Sequence, residues 1–260
     1  MSIIGTTNDL KRRFQEPKSK IGGHYTASQF KKRFIIFMKK QIIKFVIDKN
    51  LDIENHLIAL SAYKRNIDRG FSQQIISTNE NLLKLPPIKR KNVIRKNIEY
   101  LYKKERQLKS LAQDINKEWL KIEKDFIKKL EQVHKHRFPH KSVKGVLSSA
   151  DKFGYKIKEE WFAVKMFSNK YIAIDTAMHE LMHFMFHKYY WEKCENSGLS
   201  ENKIWDIKEA FTVLLNLEFD KFLFFPDYGR APHNKLRRLI EKSWKKNRDF
   251  DKTLSLVIKK

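Results

Sequence analysis

Residues 175–191 read Asp-Thr-Ala-Met-His-Glu-Leu-Met-His-Phe-Met-Phe-His-Lys-Tyr-Tyr-Trp, and they contain the pattern H-E-x-x-H at positions 179–183. The stretch is apolar nearly all round a helix, which predicts that this helix is buried. His179 and His183 lie four residues apart, so they share one helix face with Cβ atoms about 5–6 Å apart. Two imidazoles at that spacing can bind one Zn²⁺, and Glu180 beside them can act as a general base.

A pair of core histidines held by ordinary hydrogen bonds is the alternative interpretation of the same stretch. Burial of two histidines and a glutamate costs several kcal/mol unless each polar group finds a partner. A metal ion would supply that partner, and the context therefore favours the metal site. The chain then has to provide a further ligand, because a catalytic zinc site usually has three protein ligands and an open position.

His187 cannot be that third ligand. It lies eight residues beyond His179, about 12 Å along a helix, so it is expected to be a packing or surface residue. The Gly and His that extend the motif in metzincins are absent, and no histidine lies between His187 and His233. The third ligand is therefore expected to be a carboxylate. The candidates are Glu192, Glu195, Glu201, Asp206, Glu209 and Glu218.

Glu209 is the best of these candidates, and Glu218 is the second. Glu209 lies in a helical run with apolar neighbours, so its charge is expected to be buried and to need a partner. A surface or salt-bridged glutamate is the alternative. Asp206 and Asn216 share its helix face and could orient the ligands through hydrogen bonds.

His179-Glu180-x-x-His183 followed by Glu209-Ala210 resembles the gluzincin zinc metallopeptidases, the thermolysin-like group, and is similar to small uncharacterised bacterial proteins with an H-E-L-M-H helix. The resemblance covers about residues 160–235. It implies a minimal zincin-like core with a small antiparallel sheet and two metal-bearing helices. Val213 stands where gluzincins commonly have a second-shell aspartate, for which Asp206 or Asp175 could substitute.

The fold class is predicted to be α+β and mostly α, in three parts. Residues 1–26 are expected to be a poorly ordered tail, residues 27–142 a helical region, and residues 143–260 the zincin-like core. Apolar periodicity predicts the helices. In the helical region they cover about 28–46, 52–68, 72–84 and 97–134, and the last is expected to pack on its own domain rather than form a coiled coil.

The core begins after a loop with three histidines, His134, His136 and His140, that match no metal-binding spacing. Residues 161–167 are aromatic and β-branched, which predicts a strand whose exposed edge could bind an extended peptide. The metal-bearing helix should begin between residues 170 and 176 and end near Cys194. Further helices are predicted over about 200–224, 233–247 and 250–258.

Composition limits the partners and the compartment. The single cysteine and the lack of an apolar leader predict a cytoplasmic protein with no membrane span. The net charge of +25 comes from lysines spread along the whole chain, which favours a solvated basic surface over a nucleic-acid interface. The oligomeric state is not predicted.

These observations predict a zinc-dependent hydrolase that cleaves a peptide or protein substrate. Glu180 would be the general base, and His233, Tyr228 or Arg230 would stabilise the oxyanion. The alternative is a basic helical module that binds nucleic acid or protein and has a non-catalytic metal site. A toxin- or immunity-type factor with a peptidase domain is a third interpretation.

Overall fold

The structure is a computed structural model that describes residues 41–68, 81–150 and 154–260. Its strands are β1 Ile43–Val46, β2 Val143–Ser148, β3 Tyr155–Lys156 and β4 Trp161–Lys165. Its helices are α1 Lys49–Asp68, α2 Pro87–Leu101, α3 Glu105–His134, α4 Lys170–Tyr189, α5 Trp191–Asn196, α6 Glu201–Phe211, α7 Val213–Glu218, α8 Asn234–Asn247 and α9 Phe250–Ile258. Short 3-10 turns cover Tyr102–Lys104 and Ala231–His233. The fold is therefore mostly helical with a small sheet, as predicted.

The sheet is mixed, and the expectation of an antiparallel sheet is wrong. Its strand order is β1-β2-β4-β3, in which β1, β2 and β4 are parallel and β3 is antiparallel to β4. Parallel neighbours need long crossover connections, and helices α1 to α3 provide one between β1 and β2. Residues 41–260 form one compact unit, and the predicted boundary at residue 142 falls inside it.

Strand β1 lies where the sequence pattern predicted the end of a helix. Its side chains alternate between buried and exposed, and its backbone is held by α3 as well as by β2. Glu123 Oε1 accepts a hydrogen bond from Ile43 N at 2.7 Å, and the Asn116 amide pairs with both backbone groups of Phe45 at 2.8 and 2.9 Å. These contacts outweigh the local helical spacing.

Helix α3 supplies the wall on which the sheet and α4 pack. Its apolar stripe includes Trp119 and Phe126, both fully buried, and their rings lie 5.7 Å apart. The stripe thus packs on its own compact unit, as predicted. The single helix expected over 97–134 is instead divided by the 3-10 turn between α2 and α3.

Other predictions concern ends and edges. The 52–68 helix is confirmed within α1, whereas the 1–26 tail and most of the 72–84 helix lie outside the described residues. The helix expected to end near Cys194 is divided into α4 and α5. The helix expected over 200–224 is likewise divided into α6 and α7. The two predicted C-terminal helices are confirmed as α8 and α9. Strand β4 is flanked by β2 and β3 at Trp161 and Phe162, so the expected exposed edge is wrong there.

The start of α4 is fixed by a side-chain cap. Asn169 accepts hydrogen bonds from the backbone N–H groups of Tyr171 and Ile172, at 2.9 and 3.0 Å. Ser200 caps α6 in the same way, through the N–H of Lys203. No helix among the described residues is both long and apolar enough to span a membrane.

Candidate metal centre

The two histidines of α4 face one point. Their ring centroids are 4.5 Å apart. His179, Glu180 and His183 each offer one ligand atom, and these atoms lie within 4.8 Å of one another. This group is close enough to hold a metal ion. His183 and Glu180 are buried whereas His179 is partly exposed, so the site opens to solvent on the His179 side.

Helix α6 brings Glu209 to the same point. Its Oε2 lies 3.6 Å from His179 Nε2, and its Oε1 lies 3.4 Å from His183 Nε2. Ligands bound at about 2.0–2.2 Å to one tetrahedral zinc ion lie roughly 3.3–3.6 Å apart. Glu209 thus places one carboxylate oxygen beside each imidazole, at separations within the range of ligands that share one ion.

Asp227 orients His179 from a loop distant in sequence. Its Oδ2 lies 2.7 Å from His179 Nδ1, which leaves Nε2 directed at Glu209. The other oxygen, Oδ1, forms an ion pair with Arg237 at 2.9 Å and accepts a hydrogen bond from the Thr212 hydroxyl at 3.2 Å. Such a carboxylate selects the histidine tautomer that presents Nε2 to a metal.

Sequence reasoning assigned that orienting role to other aspartates. Asp206 instead lies 3.1 Å from His233 Nε2, and Asp175 accepts hydrogen bonds from the backbone N–H groups of Phe224 and Phe225. No spacing rule connects Asp227 with His179, because the loop reaches the helix only through the tertiary fold.

Lys208 is a second group that sequence reasoning missed. Its side chain is 0% exposed, and its ammonium donates to Glu209 Oε1 and to the Tyr155 hydroxyl, both at 2.8 Å. The hydroxyl lies 2.8 Å from His187 Nε2. Because an ammonium can only donate, the hydroxyl oxygen accepts from Lys208 and its hydrogen remains free to be donated to His187. Burial lowers the pKa of His187 to about 3, so the imidazole is neutral. His187 is thus a packing residue, as expected, with a polar role in addition.

The charges of the site are mutually dependent. Burial raises the pKa of Glu180 to about 7. Burial opposes the cationic form of His179. Hydrogen bonds to Asp227 and Glu209 outweigh the effect of burial and raise the pKa of His179 to about 10. Burial also opposes the charged form of Glu209, yet Lys208 and the histidines hold its pKa well below the usual value. A metal ion entering the site must therefore displace a proton from His179.

The remaining predicted residues lie in different surroundings. Glu218 binds Lys129 at 2.6 Å and Trp244 Nε1 at 2.8 Å, so the second candidate ligand is engaged outside this group. His233 is buried, with Nε2 beside Asp206, whereas the Tyr228 side chain is 81% exposed.

Comparison with known proteins identified no relative of this chain. No family model, no curated protein and no solved structure matches the chain. His179, His183 and Glu209 together form a candidate metal centre on two helices.

Proposed function

We propose that this chain is a zinc-dependent metallopeptidase with a gluzincin-like core. The observation that carries the proposal is the position of Glu209, whose oxygens lie 3.4 and 3.6 Å from the ligand nitrogens of the H-E-x-x-H helix. A chance motif on a buried helix would not require a second helix to present a carboxylate at ligand distance. The resemblance to gluzincins implies this same pair of helices.

His179 Nε2, His183 Nε2 and Glu209 would hold the ion, and His and carboxylate donors suit zinc. When bound, zinc supplies a Lewis acid that polarises the scissile carbonyl and lowers the pKa of water. Glu180 Oε2 is buried and has no hydrogen-bond partner among the described residues. Glu180 would accept the proton of the attacking water and pass it to the leaving amine.

Arg230 is one candidate to stabilise the developing oxyanion. Its charge acts on Glu180, and its side chain is exposed. Its guanidinium forms no hydrogen bond or ion pair with the part of the chain that the structure describes, so its donors are available to a substrate. Tyr228 is the second candidate. His233 is less suitable, because its Nε2 already faces Asp206.

The test combines metal analysis with hydrolysis of an unfolded protein substrate. Wild type should bind one zinc per chain, and His183→Ala and Glu209→Ala should lose it. Glu180→Gln should retain zinc and lose hydrolysis by a factor of about 10²–10⁴, the usual contribution of a general base. Glu218→Ala is the matched control and should retain zinc.

Two results would contradict the proposal. The first is unchanged hydrolysis by Glu180→Gln, which would remove the general base from the mechanism. The second is zinc bound by wild type without hydrolysis of any polypeptide, which would favour the non-catalytic metal site of a binding module.

A further inference from the structure

The solvent-facing side of α4 leads away from the metal centre along one row of residues. Ile172, Asp175, Thr176 and His179 are partly or fully exposed, whereas the rest of the helix from Ala173 to Phe186 is buried. These positions follow helical spacing, so they form a continuous strip. A molecule that reaches His179 along the helix must pass over this strip.

The loop after α7 borders the strip and is fixed to it at two points. The N–H groups of Phe224 and Phe225 donate to Asp175 at 3.0 and 2.8 Å, and one helical turn further on Asp227 holds His179 at 2.7 Å. The loop is thus attached to α4 through the same segment that orients a metal ligand.

The loop and the start of α4 together carry an exposed apolar surface. Ten large apolar side chains are at least 36% exposed among the described residues, and five of them lie in this loop, at the start of α4 or in the turn just before α4. They are Phe167 at 62%, Ile172 at 40%, Phe224 at 45%, Phe225 at 48% and Tyr228 at 81%. The Tyr171 ring lies 4.3 Å from that of Phe224 and extends the surface. We call these six residues the aromatic rim. A concentration of exposed apolar side chains marks a binding surface.

The charges around the aromatic rim are mainly positive. Lys165, Lys221 and Arg230 are exposed and lie within three residues of a rim residue in sequence, against Asp220 as the exposed carboxylate of the loop. Asp175 and Asp227 already accept hydrogen bonds from the protein itself. An apolar segment with acidic neighbours therefore complements this surface better than one with basic neighbours.

The aromatic rim lies close enough to His179 for one extended peptide to reach both. Ile172 precedes His179 by seven residues, which is about 10 Å along a helix. An extended peptide covers that distance in about three residues. A substrate whose scissile bond lies over His179 would therefore place a side chain about three residues away on the aromatic rim.

We propose that the aromatic rim binds an extended polypeptide segment with a large apolar side chain about three residues from the scissile bond and acidic residues beside it. The proposal rests on the proposed peptidase function for its geometry, and it names the substrate class. A polypeptide is the favoured occupant because the strip leads from the rim to the metal ligands.

The test measures binding by the Glu180→Gln protein, so that cleavage does not interfere. The probe is a short fluorescent peptide with two phenylalanines between acidic residues, followed by fluorescence anisotropy. Replacement of its phenylalanines by serine should weaken binding about tenfold, as should Phe224→Ser combined with Phe225→Ser in the protein. Ile172→Ser alone should have a smaller effect in the same direction.

Leu256→Ser is the matched control, because it removes an exposed apolar side chain from α9 and should leave binding unchanged. A probe with basic flanking residues should bind more weakly than the acidic probe, and added salt should reduce that difference. Zinc content and far-ultraviolet circular dichroism of each variant report whether the site and fold are retained.

The proposal is overturned if the serine probe binds as well as the phenylalanine probe, or if the rim variants bind like Leu256→Ser. It is also overturned if the rim variants lose binding to phosphatidylcholine–phosphatidylserine vesicles, or lose self-association, without a change in peptide affinity. If the rim selects peptides as expected but the wild-type protein hydrolyses none, the rim proposal is supported and the peptidase proposal is contradicted. The two proposals can therefore fail independently.

Discussion

Replacement of Lys208 by methionine should destabilise the metal-free protein more than the zinc-bound protein. The ammonium is fully buried and lies 2.8 Å from Glu209 Oε1, so it neutralises this carboxylate in the absence of metal. Methionine keeps much of the apolar length of the side chain and removes the charge. Glu209 then remains largely buried beside the site without its nearest cation.

The expected cost follows from the burial of the pair. The side chain of Glu209 is 21% exposed and that of Lys208 is 0% exposed, so solvent screens their interaction little. Removal of one partner from a buried ion pair costs about 3–5 kcal/mol. We expect a cost of about 3 kcal/mol, the low end of this range, because Glu209 also contacts both histidines. The Tm of the metal-free protein should therefore fall by roughly 6–12 °C.

Zinc should reverse much of this loss, because the ion becomes the partner that Glu209 lacks. Thermal unfolding with a chelator and with zinc measures the effect directly. Zinc should raise the Tm of Lys208→Met more than the Tm of wild type, by about 4 °C or more. Lys188→Met, which removes an exposed lysine from α4, is the control and should respond to zinc as wild type does.

Two results would refute this reasoning. An equal zinc-induced rise in Lys208→Met and wild type would show that Lys208 does not substitute for the ion at Glu209. Loss of zinc binding in the variant would show that Lys208 supports ligation rather than opposing it. Tyr155→Phe keeps the ion pair and removes one hydrogen bond, so it should cost only about 1 kcal/mol and leave the zinc response unchanged.

Three further changes test other parts of the structure. His134 is buried against Phe250, and burial lowers its pKa to about 3, so stability should fall as pH falls from 6.5. Urea unfolding at pH 7 and pH 5 should show a loss about 2 kcal/mol larger in wild type than in His134→Phe, and equal losses would contradict the assignment. Asp227→Asn should weaken zinc binding about 10–100-fold in chelator competition, and an unchanged affinity would remove its orienting role. Gly145→Ala places a Cβ 2.7 Å from the Phe45 ring and should cost about 1–3 kcal/mol in urea unfolding, whereas an undiminished midpoint would mean that the sheet and α3 adjust freely.

Local sequence patterns were sufficient to predict where the helices of the candidate site lie along the chain. The buried course of α4 and the two C-terminal helices follow from residue types and periodicity within about one or two helical turns. Glu209 was identified for a related reason, since a carboxylate among apolar neighbours requires a partner. The identification needed no knowledge of how α4 and α6 pack.

Long-range pairing explains the errors in the sheet. The 43–46 segment has spacing compatible with a helix, but parallel pairing with β2 and hydrogen bonds from Asn116 and Glu123 make it a strand. These partners are about 70 to 100 residues away in sequence. Nothing local indicates that they meet, so β1 and the mixed sheet could not be derived from periodicity.

The omission of Lys208 has a different cause, because it is the immediate neighbour of Glu209. Consecutive residues on a helix point about 100° apart, so a sequence argument assigns Lys208 to another face. The long side chain nevertheless turns back to Glu209, since Tyr155 provides a hydroxyl and Trp205 an aromatic face 4.2 Å from its ammonium. The cation beside the proposed ligand is therefore positioned by β3 and by the aromatic residues around it. The Tyr155 hydrogen bond is only one of these supports, so its loss alone leaves the ion pair between Lys208 and Glu209 in place.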